Sequence, residues 1–64
     1  MKVNGEIVTI QEGCSLGAYL EKHGFQAGRI AVERNGEIVP KAQYETCMLS
    51  DADTLEIVHF VGGG

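Results

Sequence analysis

The residues best suited to chemistry stand at the end of the sequence, where a strand-like stretch from Thr54 to Val61 gives way to Gly62-Gly63-Gly64. Glycine has no side chain, so a run of it can enter a channel too narrow for other residues. The Gly64 carboxylate is unhindered towards nucleophiles, and an activated glycine cannot racemise. A carboxylate is a poor electrophile until it becomes an acyl adenylate or a similar ester. The chain offers no ATP site for that step. Gly24-Phe25-Gln26-Ala27-Gly28-Arg29 has two glycines but neither the Walker spacing nor its Lys-Ser/Thr ending. Activation of Gly64 therefore requires a partner enzyme. On composition alone, an inert end explains the three glycines equally well.

The other reactive side chains form no familiar set. Cys14 and Cys47 make no Cys-x-x-Cys pair, and His23 and His59 stand far from them, so the spacing does not suggest a zinc site. The two cysteines are expected to be unpaired, with Cys47 buried and reduced, as free cysteines commonly are. Asp51 and Asp53 resemble the start of a calcium loop, but the remaining ligands and the closing Glu are missing, and turn-forming aspartates explain them better. No Ser-His-Asp set has a recognisable context. No enzyme site is legible in these residues.

Residues 1–64 are read as one domain, 64 residues being too few for two. The order of elements positions the tail. Met1 to Ile10 reads as a hairpin about Asn4-Gly5, a turn whose two residues tolerate positive φ. Ser15 is placed to cap a helix over 15–24, with Leu16, Tyr19, Leu20 and His23 on one stripe and Gly24 as a left-handed stop. Gly17 weakens that helix. A second hairpin runs Arg29 to Val39 about Asn35-Gly36. Cys47 to Leu49 reads as a short strand, Ser50 to Asp53 as a turn, and Thr54 to Val61 as the last strand. Two hairpins flanking a helix, with the last strand at the sheet centre, make an α+β fold. It is a β-grasp, ubiquitin-like mixed sheet of four to five strands with one main helix on one face. The expected core is Val3, Val8, Ile10, Leu16, Leu20, Val32, Cys47, Leu49, Leu55 and Ile57.

Alternation along the last strand turns Leu55 and Ile57 inward and leaves Val58 and Phe60 outward, just before the tail. An exposed apolar pair beside a terminus suits a docking surface. Nine acids against five bases, for a net charge of -4, argue against nucleic acid and suit a basic protein surface. No run is long enough to span a membrane, and the N-terminus lacks a signal-peptide core, so a cytoplasmic location is expected.

From Ala31 onward the sequence resembles the ThiS family of sulfur carriers. Val32-Glu33-Arg34-Asn35-Gly36-Glu37-Ile38-Val39-Pro40 is similar to the family's second hairpin, and Asp51 through Gly64 to its C-terminal strand and diglycine end. Val3-Asn4-Gly5-Glu6 fits the first hairpin more loosely. The resemblance implies a carrier of thiamine biosynthesis. A ThiF-type enzyme would adenylate Gly64 with ATP and Mg. Sulfur from a cysteine desulfurase would then give a C-terminal thiocarboxylate, which a ThiG-type thiazole synthase would consume. Gly62 and Gly63 would give reach, and Val58, Phe60 and Val61 would dock partners. The chain itself would bind no cofactor or metal. A carrier for molybdopterin or another sulfur-containing product, a protein modifier, or a plain binding domain would share the fold.

Overall fold

The computed structural model describes residues 1–60. Five strands, β1 (Lys2–Val3), β2 (Glu6–Ile7), β3 (Ile30–Arg34), β4 (Glu37–Ile38) and β5 (Thr54–His59), form one sheet in the order β2-β1-β5-β3-β4. β1 runs parallel to β5 and the other pairs are antiparallel, so the sheet is mixed and β5 lies at its centre, as the β-grasp topology requires. One helix, α1 (Leu16–Lys22), and two short 3-10 turns, Ala27–Arg29 and Lys41–Gln43, complete the described chain.

Local chemistry sets these boundaries. Asn4 and Gly5 have φ of 51° and 84°, and Asn35 and Gly36 of 53° and 85°, so both hairpins close on the left-handed pairs that their sequences favour. The Ser15 hydroxyl accepts from the Ala18 N–H at 3.1 Å and starts α1. Gly24, at φ 79°, ends it, and the Phe25 N–H reaches back to the Leu20 carbonyl at 2.9 Å.

Leu16, Tyr19 and Leu20 of α1 share one buried cluster with Ile30 and Val32 of β3, Leu55 and Ile57 of β5, and Met1, Tyr44 and Leu49. Each fully buried aliphatic side chain contributes about 1.5–3 kcal/mol. Six of the expected core residues are in this cluster, but Val3, Val8, Ile10 and Cys47 are only half-buried and pack against its rim. The expected strand over 6–10 is shorter, because β1 offers only two paired residues. After the Val8 N–H bonds the Met1 carbonyl, the chain leaves the sheet. Cys47 to Leu49 is likewise no strand but a single antiparallel bridge, Ser15 to Met48, at the entrance to α1. His23 leaves the stripe and becomes the exposed C-cap.

The same bridge keeps the cysteines apart. Cys14 faces Leu49 and Cys47 faces Leu16, so the thiols belong to diagonal neighbours. Diagonal Cα atoms lie about 7–8 Å apart, beyond ordinary disulfide reach. Both cysteines are free.

Candidate functional site

The site is the exit of β5, and the sheet holds that strand from both sides. On the β3 side the register runs from Arg34 opposite Leu55 to Ile30 opposite His59. One further bond, from the Phe60 N–H to the Arg29 carbonyl at 2.9 Å, carries the pairing past the strand's end. On the β1 side the ladder stops at the first hairpin turn, but the Asn4 side chain continues it. Its carbonyl oxygen accepts from the Ile57 N–H at 2.7 Å and its amide donates to the Ile57 carbonyl at 3.2 Å. On the β3 side, at the strand's start, the Asn35 side-chain oxygen accepts from the Thr54 N–H at 2.9 Å. Both turn asparagines thus act as backbone surrogates for the central strand.

Asp53 anchors the entry to β5. It is only 6% exposed. It accepts from the Arg34 guanidinium at 3.0 Å, the Asn35 amide at 3.0 Å and the Ser50 N–H at 2.9 Å. Burial alone would push its carboxyl up, but the bonds from Asn35, Ser50 and Arg34 outweigh burial and hold it below the ordinary value. Reading Asp53 as a turn residue captured the Ser50 bond and missed the ion pair. No group of three or more metal-ligating side chains exists among the described residues.

Val58 stands opposite Ala31, whose small side chain leaves it 55% exposed. Phe60 is 56% exposed, and the Lys41 ammonium lies 5.5 Å from its ring centroid, within cation–π range. Lys41 comes from the 3-10 turn that Pro40 opens. His59 lies beside Phe25, with ring centroids 5.5 Å apart. Val61, Gly62, Gly63 and Gly64, the other residues expected to dock partners or carry chemistry, lie outside the described residues.

The ThiS family matches residues 1–64. The chain belongs to the ThiS family. Its β-grasp fold is that of the crystal structure of the thiamine biosynthesis protein ThiS from Geobacter metallireducens. The two superpose with a TM-score of 0.84 at 30% identity, over 98% of this chain and 96% of that one. The sulfur carrier protein ThiS of Bacillus subtilis (strain 168) is 57% identical over 35 residues, covering 55% of this chain and 53% of that protein. A thiazole synthase of Paramagnetospirillum magneticum is 44% identical over 62 residues, 97% of this chain. This ThiS-family chain spans only 19% of the length of each thiazole synthase it matches. No helix among the described residues is long and apolar enough to cross a membrane.

Proposed function

We propose that this chain carries sulfur for thiamine biosynthesis on the carboxylate of Gly64. The observation that carries the reading is the anchored central strand. β5 is paired on both sides, its last paired group among the described residues is the Phe60 N–H, and only Val61 separates Phe60 from three glycines in sequence. A rigid scaffold that ends in a residue run without side chains suits presentation of a carboxylate inside another protein's active site.

The chemistry follows from what a carboxylate needs. An adenylating partner supplies ATP and Mg. A Gly64 oxygen attacks the α-phosphorus, pyrophosphate leaves, and the acyl adenylate is the electrophile. A persulfide sulfur, furnished by a cysteine desulfurase, displaces AMP, and a thiol then reduces the resulting disulfide to release the thiocarboxylate. Val58, Phe60 and Val61 dock the partners, and Gly62 and Gly63 provide reach. The thiazole synthases that contain a segment similar to this chain support a ThiG-type enzyme as the sulfur acceptor.

The test is intact mass spectrometry after incubation with an adenylating enzyme of this type, ATP, Mg and a persulfide source. The expected product gains sulfur in place of one oxygen, and it loses that sulfur on addition of thiazole synthase with its substrates. An unchanged mass would refute the reading.

A further inference from the structure

The sheet face opposite α1 carries an arrangement that costs stability. Glu33 of β3 stands directly opposite Glu56 of β5, and both point away from the core. Opposed side chains have Cβ atoms about 4.5–5.5 Å apart, and like charges there are destabilising. The ion pairs among the described residues are Met1 with Asp51 and Arg34 with Asp53, and neither glutamate takes part. Lys2 stands opposite Thr54, one row away and diagonal to Glu56, and forms no ion pair with it.

Apolar groups frame the two carboxylates. Ile38 of β4 is opposite Glu33 on its other side and is 64% exposed. Ala31 and Val58 form the next row towards the strand exit. A row reading Ile38, Glu33, Glu56, beside a row reading Ala31, Val58, combines a buriable rim with a concentrated negative charge.

We infer that this face docks the adenylating partner, and that Glu33 and Glu56 together receive an arginine guanidinium presented by that partner against Ile38 and Val58. The inference rests on the proposed adenylation of Gly64. A guanidinium is planar and carries five donors, so it can serve two neighbouring carboxylates at once, which a lysine ammonium does less well. A second copy of this chain fits poorly. A two-fold contact on this face would set the glutamate pair against itself, between chains of net charge -4. The basic partner relieves the repulsion that the free carrier bears, so the cost in the free state becomes affinity in the complex.

The experiment is ATP–pyrophosphate exchange by the adenylating enzyme, with this protein as the varied substrate. The variants are Glu33→Gln, Glu56→Gln, their double, and a remote control, Glu12→Gln with Glu45→Gln. The double variant is expected to raise KM about tenfold or more with kcat little changed. Its melting temperature should equal or exceed the parent's, because the repulsion is gone. The control carries the same charge change and is expected to leave KM within about twofold, as exposed charges contribute little. An unchanged KM for the double variant, or an equal rise in the control, overturns the docking role while adenylation stands. Absence of exchange with the parent refutes adenylation itself and this inference with it.

Discussion

Asn4 and Ile57, 53 residues apart in sequence, exchange two hydrogen bonds through the Asn4 side chain, at 2.7 and 3.2 Å. This pairing extends the β1 edge of the sheet along β5 to a point three residues before Phe60. Asn4→Gly keeps the positive φ without strain and removes both bonds. It is expected to cost about 1–3 kcal/mol in urea denaturation. The Ile57 amide should exchange with solvent faster than in the parent. Unchanged stability and exchange would show that the clamp contributes nothing.

The Asp53 carboxylate gives acid sensitivity a definite sign. Its folded pKa lies below the ordinary 3.8, so the unfolded chain binds the proton more readily. The stabilisation is complete above that ordinary value and is lost as pH falls through the folded value. Asp53→Asn leaves an amide NH₂ facing donors and is expected to cost about 1–3 kcal/mol at neutral pH. The gap between parent and variant should narrow as the solution is taken below the ordinary carboxylate pKa. A gap that stays constant down to full protonation would assign the effect to packing.

Gly17 is a weak helix former inside α1, and its surroundings can make room for a methyl group. Its N–H donates to the Tyr44 carbonyl at 2.8 Å, and a Cβ there would meet the Glu45 carboxylate at 2.7 Å. Glu45 is exposed and its head is free to swing aside, while the Tyr44 backbone is 3.4 Å away, an ordinary contact. Gly17→Ala should therefore recover most of the helix propensity, about 0.5–1 kcal/mol of added stability. A lower melting temperature would show that the Tyr44–Glu45 segment cannot yield.

Much of the frame was legible because local chemistry fixed it. The two Asn-Gly turns need positive φ, Ser15 and Gly24 cap one short helix, and the alternation of Leu55 and Ile57 fixes the inner face of β5. What was not legible depended on distant partners. Tyr44 is buried, and burial pushes its hydroxyl pKa up, yet it follows a 3-10 turn with no periodicity to reveal it. The opposition of Glu33 and Glu56 depends on a register that neither strand encodes alone. The side-chain bonds of Asn4 and Asn35 had one faint signal, the choice of Asn at the first position of both turns. Cys47 alternates correctly with Leu49 but sits at a bridge rather than in a strand, so it is only half-buried.

Phe60→Ala tests the docking surface apart from the fold. The side chain is more than half exposed and lies one residue past β5, so its loss should change stability by no more than about 0.5 kcal/mol. Binding to the adenylating enzyme should weaken by about 2 kcal/mol or more if Phe60 is an anchor. A large loss of stability with normal binding would place Phe60 in the core instead.

Gly64 is the proposed sulfur-bearing residue, and its deletion probes that role without touching the core. The shortened tail retracts the carboxylate by about 3.5 Å, one residue of extended chain. A displacement of only about 1 Å in a reacting group can cost on the order of a hundredfold in rate. The measurement is the rate of ATP–pyrophosphate exchange and of thiocarboxylate formation with the adenylating enzyme, for the parent and the shortened chain. Melting curves of both proteins should coincide. The shortened chain is expected to lose exchange almost completely and to form no thiocarboxylate; activation as fast as that of the parent would contradict the role of Gly64.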